Sequence, residues 1–307
     1  MVYIPKNMLK YTFFACLAIV ITVLFYSCTP SAQKIRTIQK EKYELKIAPH
    51  QKAVLIVFPC YPCDIEHTKH EAKFLENIEK EGITTLLLNI NQKLWLSKTE
   101  KQEYSTFINN ILDSNKVEKK NIFLGGFSSG GNVAVILANE FLKNKDAIQP
   151  KGVFAVDSPL DIEQLYKNAQ KGIIEKASED SYNESVFLIN LIEQSFGKPS
   201  ESLLKFRELS PFLLSESSTS NMEYLKNIKV RFYTEPALEW QKKNRNRSYE
   251  ELNAYMLEKA YDLLRKLGSN SVEFIKTENK GIRANGTVHP HSWSIVDKSS
   301  LLFWLKD

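Results

Sequence analysis

Short apolar runs alternate with amphipathic stretches from residue 53 onward, and this alternation limits the fold more than any other feature of the sequence. Strands are predicted over residues 53–58, 84–90, 121–125, 152–157, 228–234 and 271–277. Helices are predicted over residues 66–81, 100–114, 129–143 and 248–267, with a last helix between Ser292 and Leu305. Strands that are apolar on both faces and alternate with helices indicate a parallel sheet covered on both sides, which is an α/β fold.

The connection from residue 158 to residue 227 is too long for one helical crossover. It carries helical patterns of its own and a serine-rich segment at 215–221. We therefore expect a helical cap over about 160–225, inserted between the strand that ends near Asp157 and the strand that starts near Ile228.

The size and charge of the chain exclude some classes of protein. A length of 307 residues with 43% hydrophobic side chains is enough for one large domain with a full core. The net charge of +5 is modest, and acidic and basic residues are interspersed, so no nucleic-acid partner is expected.

The first residues read as an export signal rather than as part of the fold. Lys6 and Lys10 precede an apolar run over 11–26, which is shorter than the roughly 20 residues of a membrane-spanning helix. Ser27-Cys28 resembles a bacterial lipobox, which implies lipidation of Cys28; an uncleaved anchor is the alternative. We expect an exported lipoprotein of the bacterial envelope or periplasm, held at the membrane by its N-terminal lipid.

This interpretation divides the chain into three parts. Residues 1–28 would be the signal segment, 29–50 a linker, and 51–307 the catalytic domain with its cap. The oligomeric state stays open.

The segment NIFLGGFSSGGNVAVILAN carries the motif on which the functional prediction depends. Gly126-Phe127-Ser128-Ser129-Gly130 follows a predicted strand and opens a predicted helix. G-x-S-x-G in that context is a nucleophile elbow: a sharp turn presents the central serine above the sheet, and the glycines avoid steric clashes. The alternative is a glycine-rich turn that only packs a helix against its strand. We predict that Ser128 is a nucleophile.

With this motif, residues 50–307 resemble the α/β-hydrolase fold family. In that family the three catalytic residues follow one another along the chain in the order serine, acid, histidine. Only His289 and His291 come after Ser128, and "HSW" at 291–293 resembles the histidine motif of esterase-like members. The resemblance implies that His291 is the general base, with His289 as the alternative.

The resemblance places the acid in the loop after the next-to-last strand. Glu235 follows that strand directly, and Glu239 lies four residues later. Typical loops of the family place the acid about three or four residues past the end of the strand, which favours Glu239 slightly. Only one of the two glutamates is expected to act. Asp157, at the end of the preceding strand, is a third candidate, but we expect it to be a structural turn residue in "DSPLD".

The family resemblance also gives a role to "FPCYPC". In such folds the loop after this strand supplies one oxyanion-hole N–H, and the residue after the nucleophile supplies the other. Pro59 and Pro62 have no N–H, which leaves Cys60, Tyr61 or Cys63, with Cys60 foremost, and Ser129 as the second donor. In an oxidising compartment Cys60 and Cys63 can pair, and such a disulfide would stiffen the loop.

Other interpretations of this segment are weaker. A thioredoxin-like dithiol would use Cys60 and Cys63, but that family needs a cis-proline some tens of residues later, and no proline lies between Pro62 and Pro150. A zinc site with His67 and His70 has the wrong spacing. We expect no metal.

Basic residues follow the proposed acid at Lys242, Lys243, Arg245 and Arg247, and Arg283 precedes the histidines. They would favour an anionic substrate if they lined the cleft, although a solvated basic face is the ordinary outcome. We expect a serine hydrolase without a cofactor that cleaves a carboxylic ester or related acyl bond of a small molecule. The alternatives are a periplasmic thiol–disulfide oxidoreductase and a hydrolase-like binding protein without turnover.

Overall fold

A computed structural model describes residues 34–89, 93–145, 147–219 and 221–307. The predicted signal segment 1–28, with its lipidation site Cys28, lies outside the described residues. Within these four ranges, no helix has both the length and the apolar character needed to cross a membrane.

An eight-stranded sheet forms the centre of the fold, in the order β1-β2-β4-β3-β5-β6-β7-β8. The strands from β3 to β8 are parallel, and β2 pairs antiparallel with both β1 and β4. The strands are β1 (Arg36–Lys40), β2 (Tyr43–Ile47), β3 (Ala53–Phe58), β4 (Ile83–Leu88), β5 (Ile122–Phe127), β6 (Pro150–Val156), β7 (Lys229–Thr234) and β8 (Val272–Lys276).

Nine α-helices accompany the sheet within the described ranges. They are α1 (Ile65–Glu71), α2 (Lys98–Ser114), α3 (Ser129–Asn144), α4 (Ile162–Glu175), α5 (Glu179–Phe196), α6 (Pro199–Leu209), α7 (Leu238–Arg245), α8 (Asn253–Lys266) and α9 (Lys298–Lys306). Short 3-10 helices lie at Lys73–Leu75, Ile78–Glu81, Leu214–Glu216, Glu223–Asn227, Tyr249–Glu251 and Trp293–Ile295.

The two faces of the sheet bury separate apolar cores. On one face Ile108 of α2, Val133 of α3 and Leu257 of α8 pack against the strands. On the other face the core includes Ile65 of α1 and Trp304 of α9. The predicted fold class, an α/β-hydrolase-type sheet covered by helices on both sides, is confirmed.

The six predicted strands are present, each with its ends within two residues of the prediction. The predicted helix over 66–81 is interrupted: α1 ends at Glu71, and two 3-10 turns follow. Asn77 has a left-handed backbone there, with φ of 58°, which breaks the helical path.

The region predicted as a linker over 29–50 contains two strands instead. β1 and β2 form a hairpin, and β2 pairs with β4 through Leu45 and Leu86. β1 is largely exposed, so it needs no run of apolar residues. Its polar sequence therefore lacks the pattern by which the buried strands were predicted. The compact unit that contains the sheet spans Ile35–Asp307.

The long connection between β6 and β7 contains α4, α5 and α6. These helices share a small apolar core of their own, which includes Ile162, Ile192 and Phe206. Leu165 and Ala169 of α4 and Phe187 of α5 line the same cavity as Ser128, so this segment borders the nucleophile side of the sheet.

Candidate active site

Ser128 occupies a strained turn between β5 and α3. Its φ is 54° and its ψ is −125°, a conformation that costs a non-glycine residue about 1–3 kcal/mol. The Ser128 N–H donates to the Val156 carbonyl at 2.8 Å, and the Ser128 carbonyl accepts from the Gly131 N–H at 3.0 Å. These bonds fix the turn between two neighbouring strands and the helix.

The glycines of the motif are required by close backbone approach. A Cβ on Gly126 would lie 2.1 Å from the Gly130 carbonyl oxygen, and a Cβ on Gly130 would lie 2.3 Å from the Phe58 carbonyl oxygen. Gly130 therefore lets the start of α3 pack directly against the end of β3. The sequence G-x-S-x-G has the mechanical role that its position predicts.

His291 faces an aspartate across the carboxyl edge of the sheet. Its Nδ1 lies 2.5 Å from Asp157 Oδ2, and the centroid of its ring lies 4.4 Å from that of Phe127, the residue before Ser128, with the two ring planes tilted by 35°. The His291 side chain is 30% exposed whereas the Asp157 side chain is 12% exposed. An N–H donated from Nδ1 to a carboxylate leaves Nε2 free to accept a proton.

Asp157 is held by hydrogen bonds on every side. Its N–H donates to the Tyr233 carbonyl at 2.8 Å, its carbonyl accepts from Asn253 Nδ2 at 2.8 Å, and its Oδ1 accepts from Thr234 Oγ1 at 3.1 Å. The residue immediately follows β6 with a φ of 44°, a conformation that Asp adopts more readily than most residues. Sequence reasoning gave no role to Thr234 or Asn253, and no local pattern points to them.

The structure differs from the sequence-based choice of acid, because neither glutamate contacts His291. Both Glu235 oxygens bond the segment that leads to the histidines: Oε1 accepts from the Gly281 N–H at 3.0 Å, and Oε2 accepts from the Lys280 N–H at 2.8 Å. Thr277 Oγ1 donates to Oε2 as well. Buried Glu235 thus ties the loop after β8 to the end of β7.

Glu239 is exposed in the first turn of α7. A carboxylate near a helix N-terminus is favoured by the helix dipole, and this accounts for its position. The end of β6 lies beside β5, whereas β7 is one strand further away, so strand order brings Asp157 rather than Glu239 to the serine.

His289 lies beside His291 without contacting a carboxylate in the part of the chain that the structure describes. Its Nδ1 lies 3.2 Å from the His291 carbonyl oxygen, and its ring is 4.8 Å from the ring of Trp240. Burial, followed by the positive charge of Arg283, lowers the pKa of His289 to about 4. His289 is therefore neutral at neutral pH.

The loop after β3 carries a disulfide between Cys60 and Cys63. The Cys63 N–H donates to the Cys60 carbonyl at 2.8 Å, so of the three candidate oxyanion donors Cys63 already has a partner. The N–H groups of Cys60 and Tyr61 have none among the described residues. Ser129 is the first residue of α3, where backbone N–H groups lack intrahelical acceptors.

The sulfur atoms of Cys60 and Cys63 lie within 4.8 Å of a His67 ring nitrogen. Because the two sulfurs are bonded to each other, they are not thiolate ligands, and this cluster does not fit a metal. His70 does not belong to the cluster.

A cavity of about 340 Å³ joins these parts. Its size is within the ordinary range for a small-molecule site. Ser128, Ser129, Asp157 and His291 line it, together with Tyr61 and Pro62 from the disulfide loop and side chains of α4, α5 and the segment after β7. Within the described ranges the Ser128 hydroxyl makes no hydrogen bond, and Ser128 is one of the residues that line this cavity.

No family model matches the sequence, and no curated protein matches it either. The fold is similar to that of solved esterases. The chain is 13% identical to carboxyl esterase 2 from the fungus Tuber melanosporum, with a TM-score of 0.55 and coverage of 91% of this chain and 87% of that one. It is also 13% identical to an esterase from the archaeon Pyrobaculum calidifontis, with a TM-score of 0.54 and coverage of 93% and 87%.

An esterase/lipase from an uncultured bacterium is 11% identical, with a TM-score of 0.54 and coverage of 92% and 88%. At these identities the likeness shows the α/β-hydrolase fold alone.

Proposed function

We propose that this protein is a serine hydrolase that cleaves a carboxylic ester through Ser128, His291 and Asp157. The observation that carries the proposal is the bonded pair of His291 and Asp157, which opens into the same cavity as a serine on a nucleophile elbow. Nucleophile, base and orienting acid are the three groups that acyl transfer through a serine requires.

In the proposed reaction Ser128 Oγ attacks the carbonyl carbon while His291 Nε2 takes its proton. The imidazolium returns that proton to the leaving alcohol, and a water molecule then repeats the sequence on the acyl-enzyme. Asp157 accepts the Nδ1–H and stabilises the positive charge on the ring. Catalytic hydrogen bonds often close only in the substrate complex, which is compatible with the unpaired Ser128 hydroxyl.

The oxyanion of the tetrahedral intermediate needs two N–H donors. We propose the Ser129 N–H as one and the N–H of Cys60 or Tyr61 as the other. The disulfide supports this role because it constrains the short loop that carries both candidates. A preorganised donor contributes about 3 kcal/mol to the stability of such an intermediate.

The structural neighbours described above are esterases, and by analogy of fold they support an ester as the bond that is cleaved. The disulfide is also compatible with the predicted location outside the cytoplasm, where such bonds persist. Cell fractionation would test that location.

Labelling with a fluorophosphonate probe tests the nucleophile. We expect the folded protein to be labelled, Ser128→Ala to abolish both labelling and hydrolysis of 4-nitrophenyl acetate, and Ser195→Ala to change neither. Ser195 is an exposed serine of α5 and serves as the matched control. Equal labelling of Ser128→Ala would refute the assignment.

The same variants separate the alternatives. A thiol–disulfide oxidoreductase would reduce insulin equally well after Ser128→Ala and would lose this activity in a Cys60→Ala, Cys63→Ala double variant. A binding protein without turnover would show neither labelling nor hydrolysis. The proposal predicts hydrolysis that depends on Ser128 and no insulin reduction.

A further inference from the structure

The carboxylates that line the cavity each have a partner within the protein. Asp157 bonds His291. Glu184 accepts from Arg245 at 3.0 Å, and Glu235 accepts the two backbone N–H groups described above. Glu251 pairs with Lys171 and also accepts from the Ser248 N–H at 2.7 Å. Each of these carboxylates therefore already has a hydrogen-bond or ion-pair partner in the protein.

Arg247 is different. It lines the same cavity in the short link between α7 and the 3-10 helix Tyr249–Glu251. Its side chain forms no hydrogen bond and no ion pair with any residue that the structure describes. Nearby Arg245, in contrast, is paired with Glu184. Among these residues, Arg247 is therefore a charged side chain of the cavity wall with no directly bonded partner.

The surroundings of Arg247 make that charge costly. The residue is half-buried, and burial, followed by the positive charge of Arg245, lowers its pKa. The negative charges of Glu184, Glu251 and Glu175 act in the opposite direction, but none of these carboxylates forms an ion pair with Arg247, and they do not offset the effect of burial. A guanidinium keeps its charge at any physiological pH. A charged group that is partly removed from water and has no directly bonded counter-ion is stabilised when an anion binds to it.

Gln241 offers a second polar group at the same wall. Its Oε1 is buried with no hydrogen-bond partner among the described residues, and the side chain lines the cavity. An amide that turns over presents its NH₂ instead of its oxygen, so this side chain can bond either a carboxylate or a neighbouring hydroxyl.

We infer that Arg247 is a specificity-determining residue that binds a carboxylate of the substrate, so that the preferred ester carries a negative charge at some distance from the scissile bond. This inference rests on the proposed ester hydrolysis at Ser128. A guanidinium matches a carboxylate with two parallel N–H donors, and Gln241 can add a third.

Matched pairs of esters test the inference. On the acyl side the pair is mono-4-nitrophenyl adipate and its neutral methyl ester; on the alcohol side it is 4-acetoxybenzoate and its neutral methyl ester. We expect the wild type to favour the charged member of at least one pair in kcat/KM. In Arg247→Gln that preference should fall about 10- to 100-fold, mainly through KM, because one charge-assisted contact is lost.

Two further variants make the assignment specific. Arg247→Lys keeps the charge but not the two-pronged geometry and should retain part of the preference. Lys243→Gln removes an exposed charge of α7 that does not line the cavity, and the preference should stay at the wild-type value. An equal loss in Lys243→Gln would mean that net charge, not a site, governs selectivity, and would overturn the inference.

Calorimetric titration of Ser128→Ala with monomethyl adipate and with dimethyl adipate separates this inference from the proposed function. The subsite is supported if Ser128→Ala binds the monoanion and the additional change Arg247→Gln abolishes that binding. If this binding is found but no ester is hydrolysed, the proposed function alone fails. Hydrolysis of neutral esters with no preference for the charged members, and no binding of the monoanion, would overturn the subsite alone. If Arg247→Gln unfolds, the Arg247→Lys and wild-type ratios still decide.

Discussion

Replacing Asp157 by Asn is the sharpest single test of the site. The change keeps the size of the side chain and the backbone bonds to Tyr233 and Asn253, and the remaining oxygen can still accept from Thr234. It alters the contact at 2.5 Å, where Asp157 Oδ2 now accepts the N–H of His291 Nδ1. An amide NH₂ at this place requires Nδ1 to be the acceptor, so the proton moves to Nε2.

A protonated Nε2 is unable to take the proton of Ser128, and the charged ring loses its counter-ion. Loss of the orienting carboxylate in a serine triad lowers kcat by about 10⁴-fold, which corresponds to about 5.4 kcal/mol of transition-state stabilisation. KM should change little, because the effect arises in the transition state. The thermal unfolding temperature should also stay close to that of the wild type.

The measurement is steady-state hydrolysis of 4-nitrophenyl acetate, with circular dichroism to follow unfolding. Glu239→Gln is the matched control, since it removes an exposed carboxylate from the element where sequence patterns place the acid, and it should keep full activity. Folded Asp157→Asn with more than about a tenth of wild-type kcat would refute the reasoning, and so would a 10⁴-fold loss in Glu239→Gln.

Two further predictions concern the neighbouring groups. Glu235→Gln should lower the free energy of unfolding by about 1.5–3 kcal/mol in urea titrations, because a buried carboxylate that accepts two backbone N–H groups is lost; unchanged stability would remove its anchoring role. His289→Gln should leave hydrolysis near the wild-type rate and flatten the pH dependence of stability. The pKa of His289 in the fold, about 4, lies below its free value of 6.5, so the unfolded chain gains a proton first as the pH falls. Wild-type stability should therefore decrease between about pH 6.5 and pH 4 more than that of the variant, and parallel curves would contradict the lowered pKa.

Features that depend on neighbouring residues in the sequence were predictable. The motif around Ser128 combines a strand, two close-approach glycines and a helix within one continuous segment, and the structure has all three. The parallel strands are buried on both faces, which gives each of them a continuous apolar run. His291 was a candidate base because only two histidines follow Ser128 in the sequence, and its catalytic role stays a prediction.

The carboxylate that pairs with His291 was not predictable from local pattern. Glu235, Glu239 and Asp157 all follow strands whose carboxyl ends lie at one edge of the sheet, so each was a reasonable candidate. These candidates differ in their contacts with residues that are distant in the sequence. The partners of Glu235, for example, are the N–H groups of Lys280 and Gly281, more than forty residues away. Strand β1 was missed for a related reason, because an exposed edge strand lacks an apolar run.

The proposed position of the acid, at Asp157, also bears on the proposed substrate preference. Because Asp157 ends β6, the segment after β7 is not needed to hold the histidine's carboxylate. That segment instead forms α7 and the link to Tyr249–Glu251, from which Gln241, Arg245 and Arg247 line the cavity. In the proposed assignment, β6 therefore supplies the carboxylate for His291, and the segment after β7 supplies the guanidinium of Arg247 to the wall of the same cavity.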